Sequence, residues 1–202
     1  MRPVKGLGLL AALTIALGLV AVQPGTAAAY TTPQVAIRNL AYANLNKVPC
    51  GHNSNGSLYF TAPDGASSCT YHTYWCGEFT AWVWDKSGHV YTTNVGHTPT
   101  SIYNYGFAAG TARQANGNNN PQVGDAVIFS SNNPSKSQGS FSHVGIVWDV
   151  NSSSHIVTVI AGNEGGGDGT VSYRYFNYTT LAQSTPTGQA YWAYEYVTPR
   201  TH

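Results

Sequence analysis

The succession of periodicities along the 202-residue chain predicts an α+β fold, with helices first and an antiparallel sheet second. Three observations predict it. Helix-start signals stand at Thr32-Pro33 and Thr98-Pro99, each a capping hydroxyl followed by proline at the first helical position. Between them, "CGEFTAWVWDK" carries Phe79, Trp82 and Val83 at i, i+3 and i+4. Beyond Asn120 the pattern shifts to short β-branched and aromatic runs separated by turn residues.

Taken in order, Val35, Ile37, Leu40, Ala41 and Leu45 predict a helix from about Pro33 to Asn46. A polar loop containing Cys50 and Cys69 follows. A second helix starts near Cys76 and stops at "KSG", Lys86 to Gly88, and a short third one runs from Thr98 through Tyr105. "NGNNN", Asn116 to Asn120, is a loop. "GDAVIFSS" is a short apolar strand after a Gly-Asp turn. "SHVGIVWDV" and "HIVTVIAG", joined by "NSSS", read as a hairpin. "TVSYRYFNY" and "AYWAYEYV" alternate in aromatic residues as half-buried strands do. No internal repeat and no Pro-rich linker divides the chain.

The N-terminus reads as a secretory signal: a basic stretch Met1 to Lys5, an uncharged apolar run Gly6 to Val22, then "QPGTAAAY" with small residues Ala27 and Ala29 ahead of a cut before Tyr30. Residues 1–29 are expected to be removed and 30–202 to form one catalytic domain, secreted and associated with the cell wall. Without Arg2 and Lys5 the chain keeps seven Lys and Arg against eight Asp and Glu, so no basic stripe invites nucleic acid. No other stretch is apolar enough for stable membrane insertion. A monomer is expected.

Three cysteines, Cys50, Cys69 and Cys76, are an odd number for an exported chain. Three pairings are possible. Cys50–Cys69 is favoured because it closes "GHNSNGSLYFTAPDGASS", a loop with little to hold its own shape, and such a crosslink is worth roughly 3 kcal/mol. Cys76 is then left as an intermolecular linker or a reactive thiol. Its position at a helix N-terminus, among unpaired N–H groups, suits a thiolate nucleophile and an oxyanion alike. His143, heading the strand in "FSHVGIV", suits the base that activates a thiol. Asn163, in "VIAGNEGGG", follows the strand that pairs with His143, so its side-chain carbonyl could orient the imidazole. Glu164 is an alternative orienter, but in a continuing strand its side chain would point to the other face.

In their order, "WCGEFTAWVW", "PQVGDAVIF", "SHVGIV" and "VIAGN" resemble the CHAP domain, the cysteine/histidine-dependent amidohydrolase–peptidase module of the papain-like and NlpC/P60 superfamily. The resemblance implies a papain-like core of N-terminal helices packed on an antiparallel sheet. It implies Cys76 as nucleophile, His143 as base and Asn163 as orienting group, with Asp125 shaping its turn. Ala161 stands where many members carry glutamate, so the chain is similar to members that rely on one amide orienter. Bacterial peptidoglycan is the implied partner, cleaved at the N-acetylmuramoyl–L-alanine bond or at a peptide cross-link. No cofactor or metal is implied.

Other readings make other demands. A non-catalytic wall-binding module would use Tyr103, Tyr105, Trp192 and Tyr194 to stack on sugars. An NlpC/P60-type endopeptidase would use the same chemistry beside D-glutamate. A thiol-linked surface protein would need Cys76 for dimerisation.

Overall fold

The first helix begins where a backbone N–H finds a reciprocal partner: Gln34 Oε1 accepts the Thr31 amide at 2.8 Å. The structure, a computed structural model, describes residues 30–47, 75–132, 140–164, 169–184 and 190–202. The expected signal segment and the expected Cys50–Cys69 disulfide lie outside the described residues.

Three helices precede the sheet strands that form the core: α1 (Thr32–Tyr42), α2 (Cys76–Lys86) and α3 (Pro99–Ala109). α1 is shorter than its apolar spacing predicts, because residues 43–46 turn away from the helix and Asn46 adopts φ 64°. α3 starts on a reciprocal cap, Thr98 Oγ1 accepting from Ser101 N at 3.1 Å and Ser101 Oγ accepting from Thr98 N at 2.9 Å. It runs past the expected stop at Tyr105. Gly106 sits within the helix, and glycine is needed there because a Cβ would stand 2.5 Å from Val197. Gly110, at φ 66°, ends the helix.

The strands are β1 (Ala112–Gln114), β2 (Ala126–Ser130), β3 (Phe141–Asn151), β4 (Ile156–Glu164), β5 (Thr170–Asn177), β6 (Ala182–Ser184) and β7 (Ala190–Val197). The five longer ones fall on the runs read from sequence. β1 and β6, three residues each, carry no periodicity long enough to be read. The sheet is antiparallel in the order β1-β7-β2-β3-β4-β5, with β6 also on β7. It curls until β6 lies against β5, so both faces are covered.

Two cores result. The three helices pack on one face over Ala126, Ile128, Val144, Ile146, Ile160 and Val197. The curl encloses the other, with Val127, Phe129, Val147, Val157, Val159, Phe176 and Tyr196. Strand parity explains the division: even residues of β2, and of β3 as far as the bulge after Val147, face the helices and odd ones face the curl. Asp125 acts on the turn ahead of β2. Its Oδ2 accepts the Gln122 amide at 2.8 Å and its Oδ1 accepts the Thr198 hydroxyl at 2.8 Å, while Arg113 donates to the same carboxylate.

Candidate active site

Cys76 opens α2, and two glycines let its start pack closely, one against the loop ahead of α3 and one against β4. At Gly77 a Cβ would stand 2.3 Å from the His97 carbonyl oxygen, so only glycine lets the first turn approach that backbone. At Gly162 a Cβ would stand 2.3 Å from the ring of Trp75, which seats the residue before the cysteine against β4. Trp75, the N-cap, supplies no side-chain cap, so no side chain of the cap competes for the first-turn N–H groups. Cys76 is a free thiol, 2% exposed.

His143 lies near the start of β3, on the parity that faces the curl. Phe129 stacks at 6.1 Å and Tyr191 at 6.2 Å between ring centroids, which limits the imidazole to one plane. The Cys76 thiol hydrogen-bonds this ring. Nδ1 is the nitrogen left for it, because Nε2 lies 3.0 Å from Glu164 Oε1.

The oxygen on Nε2 therefore comes from Glu164, one residue beyond Asn163. Extending the Ile146↔Ile160 pairing along the hairpin would place Asn163 across from His143, which is why the sequence points to it. β4 does not continue regularly. Asn163 adopts φ 59°, and the β4–β5 register shifts between Ala161 and Glu164. That bulge inserts one residue and inverts the alternation. Glu164, expected on the opposite face, is thereby turned onto the face of His143. Asparagine is among the residues that tolerate the left-handed region best, so Asn163 suits the bend itself.

Arg174, which sequence reading missed, completes the cluster. Its Nε donates to Glu164 Oε2 at 2.7 Å. It pairs across from Val159 on β5 and so faces the curl, as does Phe176 two residues on. The run "TVSYRYFNY" disguises it, since the aromatic residues suggest the inward positions. In fact Tyr173 and Tyr175 are 45% and 56% exposed. The available signal was a lone cation between aromatics, in a chain with nine Lys and Arg.

Electrostatics follow from this order of charges. Burial alone would push His143 down. The Cys76 thiolate and the Glu164 carboxylate outweigh it and raise the imidazole above its ordinary 6.5. Burial would push Glu164 up, but His143 and Arg174 hold it below the usual carboxylate range. The arrangement favours a protonated imidazole in a low-dielectric site, held between the Cys76 side chain and an ionised acid. Among the described residues no group of three His, Cys, Asp or Glu is placed to hold a metal, and no helix is long and apolar enough to cross a membrane.

Of the aromatics that a sugar-binding module would use, Tyr105 is buried, its hydroxyl donating to the Tyr91 carbonyl at 3.0 Å. Tyr103 and Tyr194 do come together, 6.4 Å apart, beside Phe141.

Comparison with known proteins bears on these motifs. No curated protein and no solved structure matches the chain. The family model described as CHAP domain matches residues 65–163, a span that contains Cys76, His143 and Asn163 and stops one residue short of Glu164. Through that segment the chain belongs to the CHAP domain family, whose members are hydrolases of the peptidoglycan amidase and peptidase type.

Proposed function

We propose that this protein is a secreted peptidoglycan hydrolase that cleaves an amide bond with Cys76 as nucleophile, His143 as acid and base, and Glu164 in the orienting role expected of Asn163. The observation that carries the reading is the series Cys76–His143–Glu164, in which one imidazole is engaged by a thiol on one side and a carboxylate on the other.

The steps follow from the charges. The Cys76 thiolate attacks the amide carbonyl, and the developing oxyanion is met by the Cys76 amide at the α2 N-terminus, where the helix dipole favours negative charge. The C–N bond breaks as the His143 imidazolium gives its proton to the leaving amine. The neutral imidazole then takes a proton from water, whose oxygen attacks the thioester. Release of the acid restores thiolate and imidazolium. Glu164 holds the ring in plane and stabilises its positive form throughout, as the third member of a triad does.

The scissile bond is the N-acetylmuramoyl–L-alanine amide or a peptide cross-link. Export rests on the Met1–Ala29 signal pattern. The test incubates purified 30–202 and its Cys76→Ala variant with isolated peptidoglycan and assays new amino groups and new reducing ends. Amines from the unsubstituted protein alone support the proposal, and fragment masses name the bond. Amine release that survives Cys76→Ala, or reducing ends without amines, refutes it.

A further inference from the structure

We infer that Arg174 is a positioning residue for this site: its guanidinium clamps Glu164 across the β4 bulge, so that the carboxylate reaches His143 from a sequence position that a regular strand would turn away. The inference rests on the reading of Cys76, His143 and Glu164 as the reacting series.

The geometry has two parts. The bulge at Asn163 brings Glu164 onto the His143 face but leaves it at the last residue of β4, where strand pairing ends. A carboxylate there has only its side-chain contacts to hold its direction. Its two oxygens are divided between partners on opposite strands: Oε1 at 3.0 Å from His143 Nε2 on β3, and Oε2 at 2.7 Å from Arg174 Nε on β5. Arg174 is anchored in turn, on the inward face of β5 beside Phe176, with its side chain 21% exposed against 7% for that of Glu164. The clamp thus replaces the rigidity that a mid-strand position would have supplied. It also compensates for Ala161, which has no polar group to offer the imidazole.

The charge matters as much as the direction. Both the charge of Arg174 and its hydrogen bond hold Glu164 ionised against burial. The titratable and charged groups of this series and around it include Cys76 from α2, His143 from β3, Arg174 from β5 and Tyr191 from β7. Of these, Arg174 is the guanidinium, paired with the Glu164 carboxylate. Removing Arg174 raises the pKa of Glu164, so the acid limb of the activity profile moves to higher pH.

The test compares Arg174→Gln and Arg174→Lys with the unsubstituted protein in three measurements. Peptidoglycan cleavage at several pH values should show kcat about tenfold lower in Arg174→Gln, KM within about twofold, and the acid limb about one pH unit higher. Arg174→Lys, which keeps the charge, should recover most of the rate. Proton NMR without substrate should show the far-downfield imidazole N–H of the His143–Glu164 bond in the unsubstituted protein. That resonance should be absent in Glu164→Ala and broadened or lost in Arg174→Gln. An unchanged resonance and acid limb in Arg174→Gln overturn the clamp. So does a parallel loss of thermal stability and rate that Arg174→Lys fails to reverse, since that marks a purely structural arginine. The NMR signal is read without substrate, so an unsubstituted protein inactive on peptidoglycan would overturn the hydrolase reading and not the clamp.

Discussion

Trp75 covers Gly162 so closely that a single methyl group on the glycine would lie 2.3 Å from the indole ring. The contact joins the residue before Cys76 to the strand that ends in Glu164. It fixes the spacing between thiol and carboxylate through packing, independently of the hydrogen bonds in between. Gly162→Ala should therefore cost about 1–3 kcal/mol of stability through overpacking. The larger effect should be on rate, because even a 1 Å displacement of α2 moves Cys76 from His143. Urea unfolding and kcat measured on the folded fraction test this together. A variant with normal kcat would show that the packing contact does not set the geometry.

Glu164 and Asn163 should behave differently on substitution. Glu164→Gln keeps the size and removes the charge that supports the imidazolium, so kcat should fall about 10²-fold. Asn163→Gly frees the φ 59° position from any side chain and should retain most activity and stability. Asn163→Val, which resists that backbone region, should lose about 1–2 kcal/mol. Should Asn163→Gly be as inactive as Glu164→Gln, the amide side chain would itself be part of the chemistry.

Cys76→Ala and His143→Ala should each abolish amine release from peptidoglycan, by at least about 10³-fold, and removing both should cost little more than removing either. Fragment release followed by mass analysis measures it. Independent, multiplying losses would mean that the two side chains do not act as a unit.

Asp125 should matter to folding and leave the chemistry alone. Asp125→Ala strips Arg113, the Gln122 amide and Thr198 of one shared acceptor. A loss of about 3 kcal/mol is expected from these buried, uncompensated donors. At low temperature, where the variant stays folded, its kcat should match that of the unsubstituted protein. A selective drop in kcat would place Asp125 in the reaction.

Glu195 makes stability depend on pH. Burial raises its carboxyl to about 7, with Arg113 only partly opposing the shift. The folded state therefore holds the proton more tightly than the unfolded one does. Its contribution is full below the ordinary value of 4.5 and is lost as pH rises through about 7. Glu195→Gln, which cannot ionise, should gain on the order of 2 kcal/mol over the unsubstituted protein at pH 8 and little at pH 4. Thermal unfolding across that range reads the difference. A gap that does not widen with pH would remove Glu195 as the source.

Much of the molecule was legible because local rules decide it. Thr98-Pro99 opens α3 with a local cap, and Phe79, Trp82 and Val83 mark the buried side of α2 at helical spacing. The β-branched runs of β3 and β4, joined by four polar residues, leave no arrangement but a hairpin. Cys76 and His143 stand out for the same reason, each being a reactive residue at the start of a strongly patterned element. The motif order adds the family, and with it the class of chemistry.

Other features were decided in three dimensions. α3 carries glycine at position 106 because Val197, ninety-one residues later, occupies the space a side chain would take. β1 and β6 exist because β7 offers an open edge, which three residues of sequence cannot announce. Alternation along β4 counts Glu164 to the wrong face, since a period of two holds only while the register holds, and one residue at φ 59° ends it. Arg174 depends on the same event: its inward position acquires a role only once the bulge has turned a carboxylate toward it. The chain's own pattern determined where a thiol and an imidazole begin their elements. Which carboxylate stands behind the imidazole, and which cation stands behind that, was decided by long-range packing between strands that no local periodicity encodes.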